Sequence, residues 1–117
     1  FGAWGHAEGT ITEEAFSEYL RCFKNENVVH ATCEDYRAGA SIDLEHDRVD
    51  LDVKISCPML ALWGALGAMH KRYDVVNVWK ERASRVGGRA IESGHFIPEE
   101  APDDIVDSFL EFFTNDK

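Results

Sequence analysis

A short apolar run, M-L-A-L-W at residues 59–63, constrains the fold more than any other stretch of the chain. Such a run, bounded here by Pro58 and Gly64, is typical of a strand buried on both faces of a parallel sheet. A second short strand is predicted at residues 89–92, R-A-I-E. The chain therefore contains at least two strands of the kind that parallel sheets use.

Helical patterns follow each of these strands. A loop with two glycines, residues 64–73, leads to Asp74, which is expected to cap a helix that Gly87 and Gly88 end. The last helix is predicted to start around Pro102, with a buried stripe of Ile105, Val106, Phe109, Phe112 and Phe113. This β-loop-α-β-loop-α order predicts an α/β fold with a parallel sheet.

Two buried strands alone do not form a stable sheet, and both of them would have open edges. We therefore expect the chain to be the C-terminal piece of a larger α/β domain, the parent protein. Phe1, which stands where a complete protein would begin with Met, agrees with truncation.

The first part of the chain has a different, helical pattern. Thr10 with Glu13 forms a possible capping box, or Thr12 caps alone. An apolar face then follows at helical spacing, made of Phe16, Tyr19, Leu20 and Phe23. A second helix is predicted at about 28–38, with Gly39 as its stop. The charged residues 41–54 are predicted to form a connecting loop.

Composition excludes several classes of protein. The 117 residues suit one small domain, and a net charge of −10 disfavours nucleic-acid binding. No run approaches the roughly 18 apolar residues of a membrane helix. The three cysteines are not spaced like metal ligands, and an odd number of them cannot all pair within the chain. They therefore predict no disulfide framework and a cytoplasmic location. Each thiol is expected to be buried as a small apolar side chain. The cysteines in question are Cys22, Cys33 and Cys57.

The order of these elements resembles the C-terminal end of the α/β-hydrolase fold. It consists of a strand ending in W-G, a helix, a strand followed by G-H-F-x-P-E-E-x-P, and a final amphipathic helix. The resemblance implies that the last two parallel strands and their helices are present, preceded by helices of the cap. It implies a cap portion at 1–45 and a core portion at 46–117. In this fold the catalytic histidine follows the last strand, which is where His95 lies in the sequence.

A narrower resemblance connects the chain to the haloacetate dehalogenases, including those that act on fluoroacetate. It rests on C-E-D-Y-R-A-G-A, P-M-L-A-L-W-G, D-V-V-N-V-W and I-E-S-G-H-F-I-P-E-E-A-P. In that family an aspartate displaces the halide to form an enzyme ester, and a histidine oriented by a second aspartate activates water to hydrolyse it. The implied partners are a halogenated carboxylate and water, with no cofactor and no metal. Whether the parent forms a homodimer is left open by the sequence.

The resemblance assigns a role to three residues. His95 is the general base, and its place in a loop and the ability of an imidazole to accept a proton suit that role. Tyr36, in Y-R-A-G, donates to the departing halide, although a tyrosine on an amphipathic helix can equally be a core or rim residue. Trp4 lines the substrate pocket. No nucleophile elbow is present, so the nucleophile and the orienting acid are expected upstream of Phe1.

Several alternatives stay open. An epoxide hydrolase or esterase of the same fold would share His95, and a non-catalytic module could use the cap groove for binding. Asp74 is the orienting acid in one alternative and a helix cap in the simpler one. Glu99 and Glu100 are interpreted as partners of a helix dipole. His46 and His70 lack a second ligand at metal-binding spacing.

Overall fold

The computed structural model describes residues 4–5 and 9–115, and the side chains of all of these except Asn115. Contacts between residues divide the chain into two compact units. One unit, the helical unit, is Ile11–Val53. The other, the α/β unit, consists of Phe1–Thr10 and Lys54–Lys117.

Three helices form the helical unit: α1 Glu13–Phe23, α2 Glu26–Gly39 and α3 Ile42–Val49. Thr12 caps α1, because its Oγ1 accepts a hydrogen bond from the Ala15 N–H at 3.1 Å. Of the two residues predicted to cap this helix, Thr12 is the one at the N-cap position. Asn25 caps α2 by accepting from the Asn27 N–H at 3.0 Å.

The predicted connecting loop at 41–54 is wrong for most of its length, because residues 42–49 form α3. Leucine, glutamate and arginine favour a helix even when no side of it is buried, and none of the residues in α3 is buried. The preceding Ser41 links the two helices through its hydroxyl, which donates to the Arg37 carbonyl at 2.6 Å. The boundary predicted between residues 45 and 46 falls inside α3, and the division into cap and core stays a prediction.

The described residues of the α/β unit form two strands and four helices: β1 Met59–Gly64, α4 Ala68–Arg72, α5 Val75–Lys80, β2 Val86–Ile91, α6 Ile97–Glu100 and α7 Pro102–Asn115. The strands pair in parallel, with Met59 opposite Val86 and Gly64 opposite Ile91. The predicted parallel arrangement is therefore confirmed. Asp74 caps α5 as predicted, since its Oδ1 accepts from the Asn77 N–H at 3.2 Å.

Gly87 and Gly88 were predicted to end a helix, and this prediction is wrong, because both lie inside β2. A β-carbon on Gly88 would lie 2.2 Å from the Ala61 carbonyl oxygen, so the close approach of the two strands requires glycine there. Helix α5 already ends at Lys80, and β2 begins three residues before the strand predicted at 89–92. Gly88 thus marks a close contact between the strands rather than the end of a helix.

The two strands are extended at their start by an isolated parallel bridge between Ile55 and Ala83. The Ile55 N–H donates to the Arg82 carbonyl, and the Ser84 N–H donates to the Ile55 carbonyl, each at 2.9 Å. The Lys54 ammonium donates to the Lys80 carbonyl at 2.7 Å, which places a positive charge at the C-terminal end of α5. The segment before β1 is therefore attached to the end of α5. The buried apolar side chains of this unit are Ala61, Ala83 and Ile91.

Helix α7 begins at Pro102, as predicted. Its predicted buried stripe is wrong in part, because Ile105 and Phe112 are half-buried whereas Val106, Phe109 and Phe113 are exposed. A sheet of two strands covers only a narrow part of a helix of this length. Arg89 of β2 joins the helix to the sheet by donating to the Ser108 hydroxyl at 2.9 Å.

Other local predictions also need correction. The loop at 64–73 contains the short helix α4. Cys33 and Cys57 are exposed and Cys22 is half-buried, so the thiols are not buried apolar groups in this chain. No helix in the part of the chain that the structure describes is long and apolar enough to cross a membrane.

Candidate active site

His95 lies in the loop that follows β2, at the carboxyl edge of the sheet. Because β1 and β2 are parallel, Gly64 and Ile91 end their strands side by side at this edge. The loops after the two strands are hydrogen-bonded to each other. The Ala65 N–H donates to the Ile91 carbonyl at 2.7 Å, and the Leu66 N–H donates to the Ser93 carbonyl at 3.0 Å. The loop that carries His95 is therefore fixed to the end of the neighbouring strand.

Trp4 contacts His95 through both backbone and side chain. The His95 N–H donates to the Trp4 carbonyl at 3.0 Å. The two rings meet edge to face, with centroids 5.0 Å apart and planes at 66°. Phe96 makes a similar edge-to-face contact, with its centroid 5.1 Å from that of the imidazole. The histidine ring thus contacts two aromatic side chains.

The carboxylate of Glu100 holds the backbone on both sides of His95. One oxygen, Oε2, accepts from the Gly94 N–H at 2.7 Å, and the other, Oε1, accepts from the Phe96 N–H at 3.0 Å. Glu100 lies in the first turn of α6, as predicted, and its carboxylate also turns back to the loop. A signal was present in the sequence, since Glu100 is the acidic residue of the element G-H-x-x-x-x-E-x-P.

A cavity of about 500 Å³ opens beside His95. Its wall is mostly apolar and includes Trp4, Trp63, Leu66, Met69 and Ile97. Among the described residues that line it, His95 carries the one ionisable side chain. An apolar cavity with one polar group at its edge suits a small molecule that reacts at that group.

Trp63, the last large side chain of β1, forms part of this wall and is held by a histidine. Its indole N–H donates to Nδ1 of His70 at 3.0 Å, and the two rings are stacked with centroids 6.4 Å apart. The His70 nitrogen that faces Trp63 is therefore an acceptor. The pair fixes the indole at the end of β1.

The structure brings two of the three predicted site residues together. Trp4 and His95 are in contact in the α/β unit. Tyr36 lies on α2 in the helical unit and is 77% exposed. Its phenol is accessible, as a donor to a bound anion has to be.

The described residues place no acidic partner and no cluster of metal-binding side chains at His95. Within residues 4–5 and 9–115, no carboxylate forms an ion pair with the imidazole of His95. The same residues contain no group of three or more histidine, cysteine, aspartate or glutamate side chains that could hold a metal ion. His46 and His70 do not form such a group.

The order of elements and the carboxyl-edge histidine define the class of fold. The chain has the fold of the C-terminal part of the α/β hydrolases, with the last two parallel strands and their helices, and the predicted fold class is confirmed. A candidate α/β hydrolase from Nostoc sp PCC 7120 matches 97% of this chain with a TM-score of 0.93 and 49% identity. A candidate acyltransferase from Salmonella enterica matches 97% with a TM-score of 0.92 and 43% identity. This chain covers 39% and 38% of those two chains.

The chain is similar in sequence to two curated hydrolases. It is 34% identical to fluoroacetate dehalogenase from Burkholderia sp over 115 residues, which are 98% of this chain. It is 32% identical to soluble epoxide hydrolase from Corynebacterium sp. (strain C12) over 94% of this chain. The chain spans 37% of the length of each of these relatives. No protein-family model matches it.

Proposed function

We propose that this chain is the C-terminal part of a hydrolase that cleaves the carbon–halogen bond of a haloacetate or another short 2-haloacid. His95 is the general base of this reaction. The observation that carries the proposal is the position of His95, at the carboxyl edge of the sheet and on the wall of an apolar cavity. The 34% identity to a fluoroacetate dehalogenase over nearly the whole chain supports the choice of substrate class.

The proposed reaction has two steps, formation of an ester on the enzyme and hydrolysis of that ester. An aspartate carboxylate attacks the α-carbon of the substrate, a C–O bond forms, and the halide leaves with the electron pair of the C–X bond. Water then attacks the carbonyl carbon of the ester while His95 takes its proton. Collapse of the tetrahedral intermediate breaks the bond between the carbonyl carbon and the substrate oxygen. His95 returns its proton to that oxygen, which releases the 2-hydroxyacid, and the remaining proton of the new carboxyl group passes to solvent, which restores the aspartate carboxylate. The nucleophile is assigned to the upstream part of the parent.

Two further residues have roles in this proposal. The Tyr36 phenol donates a hydrogen bond to the departing halide, which stabilises the charge that develops there. Trp4 lines the pocket beside His95, and its ring contact with the imidazole supports this role. The substrate enters as a small carboxylate, without a cofactor.

The acid that orients His95 is also assigned to the upstream part of the parent. The segment after β1, residues 64–73, contains no carboxylate. In the structure this segment forms α4, and His70 on that helix contacts Trp63 rather than His95. Asp74, the next acidic residue, has both of its carboxylate oxygens engaged with Asn77 at the start of α5. These contacts support a capping role for Asp74.

An epoxide hydrolase is the second candidate, and the 32% identity to a soluble epoxide hydrolase favours it. In this candidate His95 keeps its place as the base. The two reactions differ in the leaving group, since an epoxide opens to an alkoxide and no halide is released. A serine nucleophile would instead support an esterase or acyl-transfer activity. We place the parent in the cytoplasm, where its free thiols remain reduced.

Incubation of the parent with fluoroacetate, chloroacetate and a simple epoxide separates these candidates. Halide release measured with an ion-selective electrode supports dehalogenation, and diol formation without halide supports the epoxide hydrolase. In His95→Ala, the first step continues and the second stops, so an enzyme ester accumulates that mass spectrometry detects. Continued turnover without an adduct would show that His95 is not the base.

A further inference from the structure

We propose that Glu100 is the positioning residue of His95: its carboxylate holds the loop so that the imidazole faces the cavity in a reactive orientation. This inference rests on the proposed role of His95 as the base. It extends the machinery around His95 to a residue that does not itself line the cavity.

The backbone N–H groups around His95 are all hydrogen-bonded within the protein. Three successive backbone N–H groups, those of residues 94, 95 and 96, all have acceptors. Glu100 supplies two of the three acceptors, and the Trp4 carbonyl supplies the other. Because both oxygens of one carboxylate are used, the two amides that flank the histidine are fixed relative to each other. The backbone of His95 has little freedom left.

The short helix α6 places the Glu100 carboxylate next to the loop that carries His95. The N–H groups of Glu99 and Glu100 both donate to the Phe96 carbonyl at 2.9 Å, which closes one helical turn directly after His95. Side chains four residues apart lie on the same side of such a turn. The Glu100 carboxylate therefore reaches the Phe96 N–H and, beyond it, the Gly94 N–H.

The chemistry of the acceptor explains why a glutamate is suited to this position. Hydrogen bonds from backbone N–H groups to a carboxylate are charge-assisted and about twice as strong as bonds between neutral groups. Glu100 is half-buried, which limits the competition from water. An amide side chain would offer one oxygen and one NH₂ group, so one of the two backbone N–H groups would face a donor.

The test measures the two chemical steps separately in the parent. In Glu100→Ala, ester hydrolysis in a single turnover slows roughly ten- to a hundredfold, since a misplacement of about 1 Å has an effect of this size. Ester formation, which does not use His95, keeps its rate. Glu100→Gln, which keeps the size of the side chain, slows ester hydrolysis by several-fold and decides the question if Glu100→Ala does not fold. Glu92→Gln removes the same charge from an exposed position near the loop and changes neither step.

A second measurement does not depend on activity. Amide hydrogen exchange at Gly94 and Phe96 becomes faster in Glu100→Gln and stays unchanged in Glu92→Gln. Unchanged exchange at these two amides, or an equal loss of ester formation and ester hydrolysis, would overturn the inference. If His95→Ala accumulates no ester, the proposed function fails instead, and the exchange measurement still reports whether Glu100 holds the loop.

Discussion

Gly64 and Gly94 approach each other so closely that a β-carbon on Gly64 would lie 1.8 Å from the carbonyl oxygen of Gly94. The next nearest atoms, at 2.7 and 2.8 Å, also belong to the backbone of the loop that carries His95. No side-chain rotation can relieve such a contact. The end of β1 therefore sets the position of the loop after β2.

Gly64→Ala should destabilise the parent by about 1–3 kcal/mol or more, because the loop backbone has to move. Gly87→Ala is the matched control, since a β-carbon there has no atom within 4 Å. That control should change the free energy of unfolding by less than about 1 kcal/mol. Urea denaturation of both variants checks the prediction, and equal destabilisation by the two would contradict it.

Trp4→Ala should slow ester hydrolysis about two- to tenfold, as expected when an aromatic pair worth about 0.5–1.5 kcal/mol is lost. The backbone carbonyl of Trp4 still accepts the His95 N–H in any variant, so the change reports on the ring alone. Trp4→Phe keeps an aromatic edge near the imidazole and should retain most of the rate. Single-turnover rates with a haloacetate provide the measurement. Equal rates in wild type and Trp4→Ala would show that the Trp4 ring has no role in ester hydrolysis.

Tyr36→Phe should slow ester formation about a hundredfold, the size of effect expected when one donor to a developing anion is removed. Hydrolysis of the ester should continue at its normal rate, because no halide is involved in that step. Tyr19→Phe, the same change on α1, is the control and should leave both steps unaffected. Rapid-quench measurement of the enzyme ester resolves the two steps. Equal slowing of both steps in Tyr36→Phe would indicate a packing role.

Patterns that depend on local chemistry predicted the fold well. The apolar run before Gly64, the capping by Asp74 and the start of α7 at Pro102 are each fixed by a few neighbouring residues, and the structure confirms them. His95 was placed after a strand by the same local reasoning. These features could be predicted because their physical causes lie within a few positions in the sequence.

Features that depend on distant contacts could not be predicted. Gly88 resembles a helix stop in the sequence, and only its contact with Ala61 on the other strand explains it. The exposed residues of α7 follow from how little of the helix the two strands cover. Glu100 resembles a helix-dipole partner in the sequence, and only the turn after His95 explains why its carboxylate also reaches back to the loop. In each case the deciding partner is a residue whose position the sequence alone does not give.

The link between Ile55 and Ala83 has a consequence for the entropy of folding. Together with the contact between Lys54 and Lys80, it joins the start of β1 to the segment between α5 and β2. The entropy lost in closing a loop grows with the length of that loop. Because β1 and β2 are neighbours in the sequence, we expect their pairing to lose less entropy than a pairing with a strand farther along the chain. The loop with His95 is therefore attached to an edge whose two strands close a single continuous segment.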